Sequence, residues 1–400
     1  MPYVHFNRFA LMLAVGFALQ GCGGTDTQTS NSSAGTLVSS GSYTATLSSA
    51  QASVSQKITY TMPSVNGTVV NATAVVFVPK GTAPTGGWPV IAWAHGTTGV
   101  ADTCAPSLTS DLAGYDAVVA TLLNAGYMVV APDYEGLGVA GLHPYLNLAS
   151  EGRSLVYAVV AAKKAVPTAS TQWMAMGHSQ GGHAALGAAQ YAAEATGMTY
   201  RGTVAFAPAS NLATALSSAQ QQVLQLSQAG QTQQAIGLLT QNMGFTALVT
   251  AGLRQNTSVN YSDVFETRSA PLAALAESVC LPALGQSMAQ DIGAFVQQNL
   301  SIPSNYPALR SSYASVPAIA SFLTMNEPAQ VKLSAPVLLL QGAADTTVPQ
   351  GLTDLLNQTL LSKGSSVTYQ TFASADHTGV VSAGLASGMA FAQQRFAAAQ

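Results

Sequence analysis

The chain has 400 residues, 48% of them hydrophobic and only 7% charged, with a net charge of −3. A chain this long can bury a large core, and its apolar content excludes a disordered, low-complexity protein despite the few charges. The absence of a basic run after the first residues excludes a nucleic-acid partner, because phosphate binding needs clustered Lys and Arg.

The N-terminus has the form of a leader. His5 and Arg8 precede an apolar run from Phe9 to Leu19, which is too short for a permanent membrane span and has the length of a signal-peptide core. Leu19-Gln20-Gly21-Cys22 resembles a bacterial lipobox. This predicts a lipoprotein signal peptide over 1–21 and a lipidated Cys22 that holds the mature protein to a membrane surface. The expected location is the outer membrane or cell surface, with periplasmic or secreted protein as the alternative; Gly23 gives no inner-membrane retention signal. Residues 22–45, poor in large apolar side chains, are expected to form a flexible linker. Of three cysteines, setting Cys22 aside leaves Cys104 and Cys280, which an oxidising compartment is expected to join.

Beyond residue 55 the pattern becomes regular. Lys57–Thr61 and Thr73–Val78 alternate and are β-branched, which predicts a hairpin of outer strands. Trp88–Ala94, Tyr127–Ala131, Trp173–Met176, Gly202–Ala207, Val337–Leu340 and Val367–Phe372 are short apolar runs, as expected of strands buried on both faces. Between them, Leu108–Asn124, Ser154–Val166, Gly182–Thr196 and Val380–Ala399 read as helices. Alternating strands and helices imply a mostly parallel sheet covered on both faces. Residues 211–334 break the rhythm, with helical periodicity and no clear strand. They predict a helical cap inserted into a core made of 46–210 and 335–400.

The chemistry centres on Gly177-His178-Ser179-Gln180-Gly181. In a chain with 36 Gly the motif alone is unspecific. Here it follows a strand and opens a helix, the setting of a nucleophile elbow in the α/β-hydrolase fold. A Ser hydroxyl is a weak nucleophile near neutral pH and needs a His to take its proton and an acid to hold that His. In this fold the order is Ser, acid, His. His377 is the sole His after position 183, and Asp345 follows the strand Val337–Leu340. Asp354 and Asp376 are rival acids, but Asp354 falls within the next helix and Asp376 adjoins His377, where it is expected to brace the loop. Gln180 and Thr97, with Thr98 as second choice, are the expected backbone donors to the developing oxyanion. His95, His178 and His183 are read as structural. No metal-ligand spacing accompanies them, and neither a metal nor another cofactor is expected. Asp133 and Glu135 are read as loop-bracing residues, and His143-Pro144-Tyr145-Leu146 as a shaped loop.

Ala94-His95-Gly96-Thr97-Thr98-Gly99, Cys104-Ala105-Pro106-Ser107, Pro132-Asp133-Tyr134-Glu135-Gly136-Leu137-Gly138, the Ser179 motif with Gly182, and Gly342-Ala343-Ala344-Asp345-Thr346-Thr347-Val348-Pro349 occur in this order. Over residues 55–400 the chain resembles a bacterial member of the secretory lipase family, the group that includes fungal lipase A. The resemblance implies a carboxylesterase or lipase with an inserted cap and no metal or cofactor. The expected activity is therefore hydrolysis of an ester or lipid substrate through an acyl-enzyme on Ser179. Two other readings use the same residues: a serine peptidase or acyltransferase, and a surface-binding lipoprotein without catalysis. Neither oligomeric state nor acyl length is legible in the sequence.

Overall fold

The computed structural model describes residues 33–397, so the expected leader and Cys22 lie outside the described residues. Nine strands form one sheet: β1 (Leu37–Ser42), β2 (Ala52–Pro63), β3 (Val69–Pro79), β4 (Trp88–Ala94), β5 (Met128–Pro132), β6 (Ala169–His178), β7 (Thr199–Phe206), β8 (Val337–Gly342) and β9 (Val367–Phe372). Their spatial order is β1-β2-β3-β5-β4-β6-β7-β8-β9. Strands β1, β2, β3 and β5 pair antiparallel, and all pairings from β5 through β4 to β9 are parallel.

The helices are α1 (Ser48–Gln51), α2 (Asp116–Asn124), α3 (Leu148–Ala165), α4 (Gln180–Tyr191), α5 (Leu212–Gln228), α6 (Thr232–Arg254), α7 (Tyr261–Val264), α8 (Ala270–Ala274), α9 (Leu281–Gln298), α10 (Pro317–Met325), α11 (Gln350–Ser362) and α12 (Gly379–Ala397). Alternate residues of the central strands point to opposite faces, and both faces are covered. Val90 and Ala92 of β4 pack with Leu155, Val159 and Ala185 of α3 and α4. Ile91 and Trp93 pack with Val119 and Leu122 of α2 and with Val380 of α12. Helices α3 and α4 cross closely at Gly152, where an added Cβ would sit 2.4 Å from the Gly187 carbonyl carbon.

Several boundaries differ from the sequence expectation. The linker expected over 22–45 contains a strand, because Leu37–Ser42 pairs with β2 through backbone hydrogen bonds. An edge strand with exposed Ser side chains needs no apolar pattern to form. The helix expected over 108–124 begins only at Asp116, since Leu112 and Ala113 take positive φ and interrupt it. Strand β9 is not buried on both faces. It is the sheet edge, and its residues are exposed or half-buried.

Between β7 and β8, the helices α5 to α10 form an insertion with its own apolar cluster, which includes Met243, Leu248, Phe265, Leu284, Met288 and Ile292. The carboxylate of Glu327 accepts hydrogen bonds from the backbone N–H groups of Asn211, at 2.7 Å, and Leu212. The two ends of the insertion therefore meet.

Candidate active site

Strand β6 ends at His178 and α4 starts at Gln180, so Ser179 occupies a one-residue turn with φ 60° and ψ −118°. This non-glycine residue in a strained region is held from both sides. Its N–H donates to Phe206 O at 2.9 Å. A Cβ on Gly177 would lie 2.1 Å from Gly181 O, and one on Gly181 would lie 2.0 Å from Ala94 O. Glycine is therefore required at both positions for the chain to make the turn.

His377 Nε2 is 2.9 Å from Ser179 Oγ, and His377 Nδ1 is 2.7 Å from Asp345 Oδ2. With the proton on Nδ1, the ring donates to the carboxylate and leaves Nε2 to accept the Ser hydroxyl proton. Asp345 is buried, and its Oδ1 accepts from the N–H groups of Thr347 and Val348, both at 2.8 Å. The Gln341 amide reaches Oδ2 at 3.2 Å. These donors hold the carboxylate in place against His377. Of the rival acids, Asp354 accepts from the Tyr369 hydroxyl at 2.8 Å and Asp376 accepts from Gly379 N at 2.7 Å, capping α12.

His178 orients the site. Its Nε2–H donates to His377 O at 2.7 Å, so its Nδ1 accepts from the Tyr115 hydroxyl at 2.8 Å. The Tyr115 oxygen also accepts from Gly96 N at 3.1 Å. One chain of hydrogen bonds thus joins the loop after β4 to the loop that carries His377. Burial, reinforced by the nearby His377, lowers the His178 pKa to about 3, so the ring stays neutral. Burial raises the Tyr115 pKa to about 12, which keeps its proton available to His178.

Beneath the elbow lies a buried charge network. Glu151 accepts from Gln180 Nε2 at 2.7 Å, from Leu146 N at 2.8 Å and from His183 Nδ1 at 2.7 Å. His183 Nε2 faces Asn326 O at 2.8 Å, so both ring nitrogens meet acceptors, which favours the protonated ring. Burial opposes both charges. The adjacent His143 and His183 rings, the latter donating to the carboxylate, outweigh it and hold the Glu151 pKa down to about 2, and Glu151 in turn raises His183. His143 accepts from Gln180 Nε2 at 2.7 Å and donates to Glu135 O at 2.9 Å. Gln180, the residue after Ser179, is thereby fixed through its side chain.

Thr97 and Thr98 stand beside Ser179 on the loop after β4. Thr97 Oγ1 pairs with the Tyr145 hydroxyl at 2.9 Å, and Thr98 O accepts from Leu281 N, the first residue of α9, at 2.8 Å. Cys104 and Cys280 form a disulfide, with Cα atoms 5.4 Å apart, that joins the core to the start of α9. His95 stacks on Tyr134 and donates from Nδ1 to Gly96 O at 2.7 Å, and burial lowers its pKa to about 4. Asp133 accepts from Ser107 N and Thr73 Oγ1, which ties the segment after β5 to strand β3 and to the segment around Ser107. Burial still raises its pKa.

Sequence reasoning missed Tyr115, the buried role of Glu151 and the link from His178 to His377. A signal for Glu151 existed: Leu148, Glu151 and Leu155 share one helix face, and a lone carboxylate on an apolar face demands a buried partner.

Two cavities meet at Ser179. One, of about 100 Å³, is lined by apolar side chains that include Leu212, Leu216, Phe245, Ile319 and Phe322. The other, of about 410 Å³, is more open and includes His377, Thr98, Tyr115, Thr240, Gln241 and Thr378.

A family model described as secretory lipase matches residues 104–400. The chain belongs to the secretory lipase family. It is an ester hydrolase with the α/β-hydrolase fold. A rice cell wall degrading esterase, LipA from Xanthomonas oryzae, is similar with a TM-score of 0.66 at 20% identity, over 92% of this chain and 100% of that one. Candida antarctica lipase A in its closed state gives a TM-score of 0.69 at 16% identity, over 92% of this chain and 83% of that one. No curated protein sequence matches the chain. The family description, secretory, points to export.

Proposed function

We propose that this secretory lipase family member is a serine carboxylesterase that works through an acyl-enzyme on Ser179, with His377 as base and Asp345 as its orienting acid. The observation that carries the reading is the continuous contact from Ser179 Oγ to His377 Nε2 at 2.9 Å and from Nδ1 to Asp345 at 2.7 Å. His377 takes the hydroxyl proton as Oγ attacks the ester carbonyl. It then gives that proton to the departing alcohol, and later takes one from the water that hydrolyses the acyl-enzyme. The N–H groups of Gln180 and Thr97, with Thr98 as the alternative to Thr97, bind the oxyanion, and the positive end of α4 adds to this. Two ordered supports favour that assignment: Glu151 holds the Gln180 side chain, and Tyr145 holds Thr97.

The insertion over 211–334 acts as the cap that walls the site above Ser179. The leader pattern and the family description support an exported enzyme, held to a membrane surface by acyl chains on Cys22. Peptidase and acyltransferase activities use the same triad and are separated by assay.

Ser179→Ala is expected to lower ester hydrolysis by about 10⁴-fold or more without changing the thermal midpoint. A fluorophosphonate is expected to label the wild type at Ser179. Full activity in the variant, or a probe on another residue, refutes the assignment. Cys22→Ala is expected to move the protein from the membrane fraction to the soluble exported fraction.

A further inference from the structure

Directly ahead of Tyr115 the backbone takes a course that side chains resist. Leu112, Ala113 and Gly114 have φ of 52°, 53° and 91° in succession. A left-handed conformation is uncommon for a residue with a Cβ, and two such residues in a row persist only where the surroundings impose them. Here the surroundings do so. The Leu112 side chain is buried in the core, Ala113 N donates to Thr109 Oγ1 at 2.9 Å, and the N–H groups of Gly114 and Asp116 both donate to Asp111 O at 3.0 Å. Ala113 and Tyr115 line the larger chamber beside Ser179. The turn sets the Tyr115 ring against Trp93, with centroids 5.5 Å apart, and brings its hydroxyl to both Gly96 and His178.

The hydrogen bonds through that hydroxyl have fixed polarity at both ends. Gly96 N–H can only donate, and the His377 carbonyl can only accept. The bond from Gly96 occupies a lone pair of the Tyr115 oxygen, so the one hydroxyl proton goes to His178 Nδ1 at 2.8 Å. That holds His178 in the tautomer whose Nε2–H reaches His377 O at 2.7 Å. A single orientation of the protons satisfies all three bonds. The approach to the loop after β4 is close as well: a Cβ on Gly96 would lie 2.5 Å from the Tyr115 oxygen. Gly96 precedes Thr97, His178 precedes Ser179, and His377 is the base.

We propose that Tyr115 is a positioning residue for ester hydrolysis: its hydroxyl sets the spacing between the oxyanion-binding loop and the loop that carries His377, and the left-handed turn over 112–114 is what places it. Tyr115 acts through Gly96 and His178 rather than on the ester. Both loops serve formation and hydrolysis of the acyl-enzyme, so displacing them slows both steps. The proposal rests on the catalytic assignment of Ser179 and His377.

Tyr115→Phe keeps the ring and removes the hydroxyl. With p-nitrophenyl butyrate, kcat is expected to fall about 10- to 100-fold, the scale of a misplacement of about 1 Å, while KM changes by less than about 2-fold. The kcat is expressed per site labelled by a fluorophosphonate at completion, so loss of folded protein does not enter it. The double variant Tyr115→Phe/His178→Leu is expected to match His178→Leu alone, because each change interrupts the same run of hydrogen bonds. A kcat per site within about 2-fold of wild type in Tyr115→Phe overturns the proposal, including the case in which only the number of labelled sites falls. A double variant whose loss is the product of the two single losses also overturns it. Should Tyr115→Phe not fold, His178→Gln, which keeps a donor for His377 O, is compared with His178→Leu, which keeps none. The Gln variant is expected to be about 10-fold faster per site, and equal values overturn the proposal. Labelling of Ser179 in the wild type, and its loss in Ser179→Ala, decide the catalytic assignment separately.

Discussion

Around Ser179 the core keeps charge out of water: Asp133, Glu151, His183 and Asp345 are all buried, each with hydrogen-bond partners. The helical insertion does the opposite. Its buried residues are apolar apart from a few hydroxyls, Asn242 and Asn326, and its ion pairs, Arg254–Glu277 and Arg268–Asp291, are on the surface. Buried charge fixes distances, because a displaced partner leaves an unpaired ion in a low dielectric. Apolar packing fixes volume and tolerates exchange. The core therefore holds Ser179, His377 and Asp345 in place, and the insertion shapes the space beside them.

That contrast can be broken at several levels. The largest effect is expected from His377→Ala or Asp345→Asn, which should lower kcat by about 10⁴-fold with the fold intact by circular dichroism. Glu151→Ala should follow, costing about 3–5 kcal/mol in urea unfolding because it strands His183 as an unpaired buried cation. No apolar substitution confined to the surface of the insertion should approach that figure. Replacing Cys104 and Cys280 by Ser should cost about 2–5 kcal/mol. Hydrogen exchange should then rise in α9 before it rises in β4 or β6. If it rises in the core first, the insertion is not the more loosely held region. Arg254→Ala, which removes a surface ion pair, should cost about 1 kcal/mol or less in the same assay.

Acid separates the regions in the same way. His95 and His178, lowered from 6.5 to about 4 and about 3, are neutral when folded and take up protons more readily when unfolded. Stability should fall as pH drops from about 6.5 towards 4. Glu151, lowered from 4.5 to about 2, adds a loss below pH 4.5. His183 is raised, so its contribution is complete below 6.5 and is lost as pH rises through its folded value. Thermal midpoints across pH 3–9 test these signs, and His178→Asn should flatten the acid limb.

The core was more legible than the insertion for a physical reason. Trp88–Ala94 was bounded correctly because a strand running through a sheet leaves a continuous signature with turn residues at its ends. The contact among Ser179, Asp345 and His377 was legible because the elbow pattern fixes which residue types to look for after it in the chain. Strand β1 left no such signature, since its pairing uses only backbone groups. The link from His178 to His377 joins residues 199 positions apart, and spacing in the chain carries no information about it. In the insertion, helical period gave the element type, but nothing in the sequence said which helix would wall which chamber.

Glu327 clasps Asn211 and Leu212, so more than a hundred residues leave and re-enter the sheet through a gap no wider than a hydrogen bond. To the strands on either side, that segment is topologically equivalent to a tight turn. Closing its ends costs entropy that grows only slowly with length. Replacing the helices between Asn211 and Glu327 by others is therefore expected to leave the register of β7 against β8 unchanged. To the sheet, the whole insertion is one clasped loop.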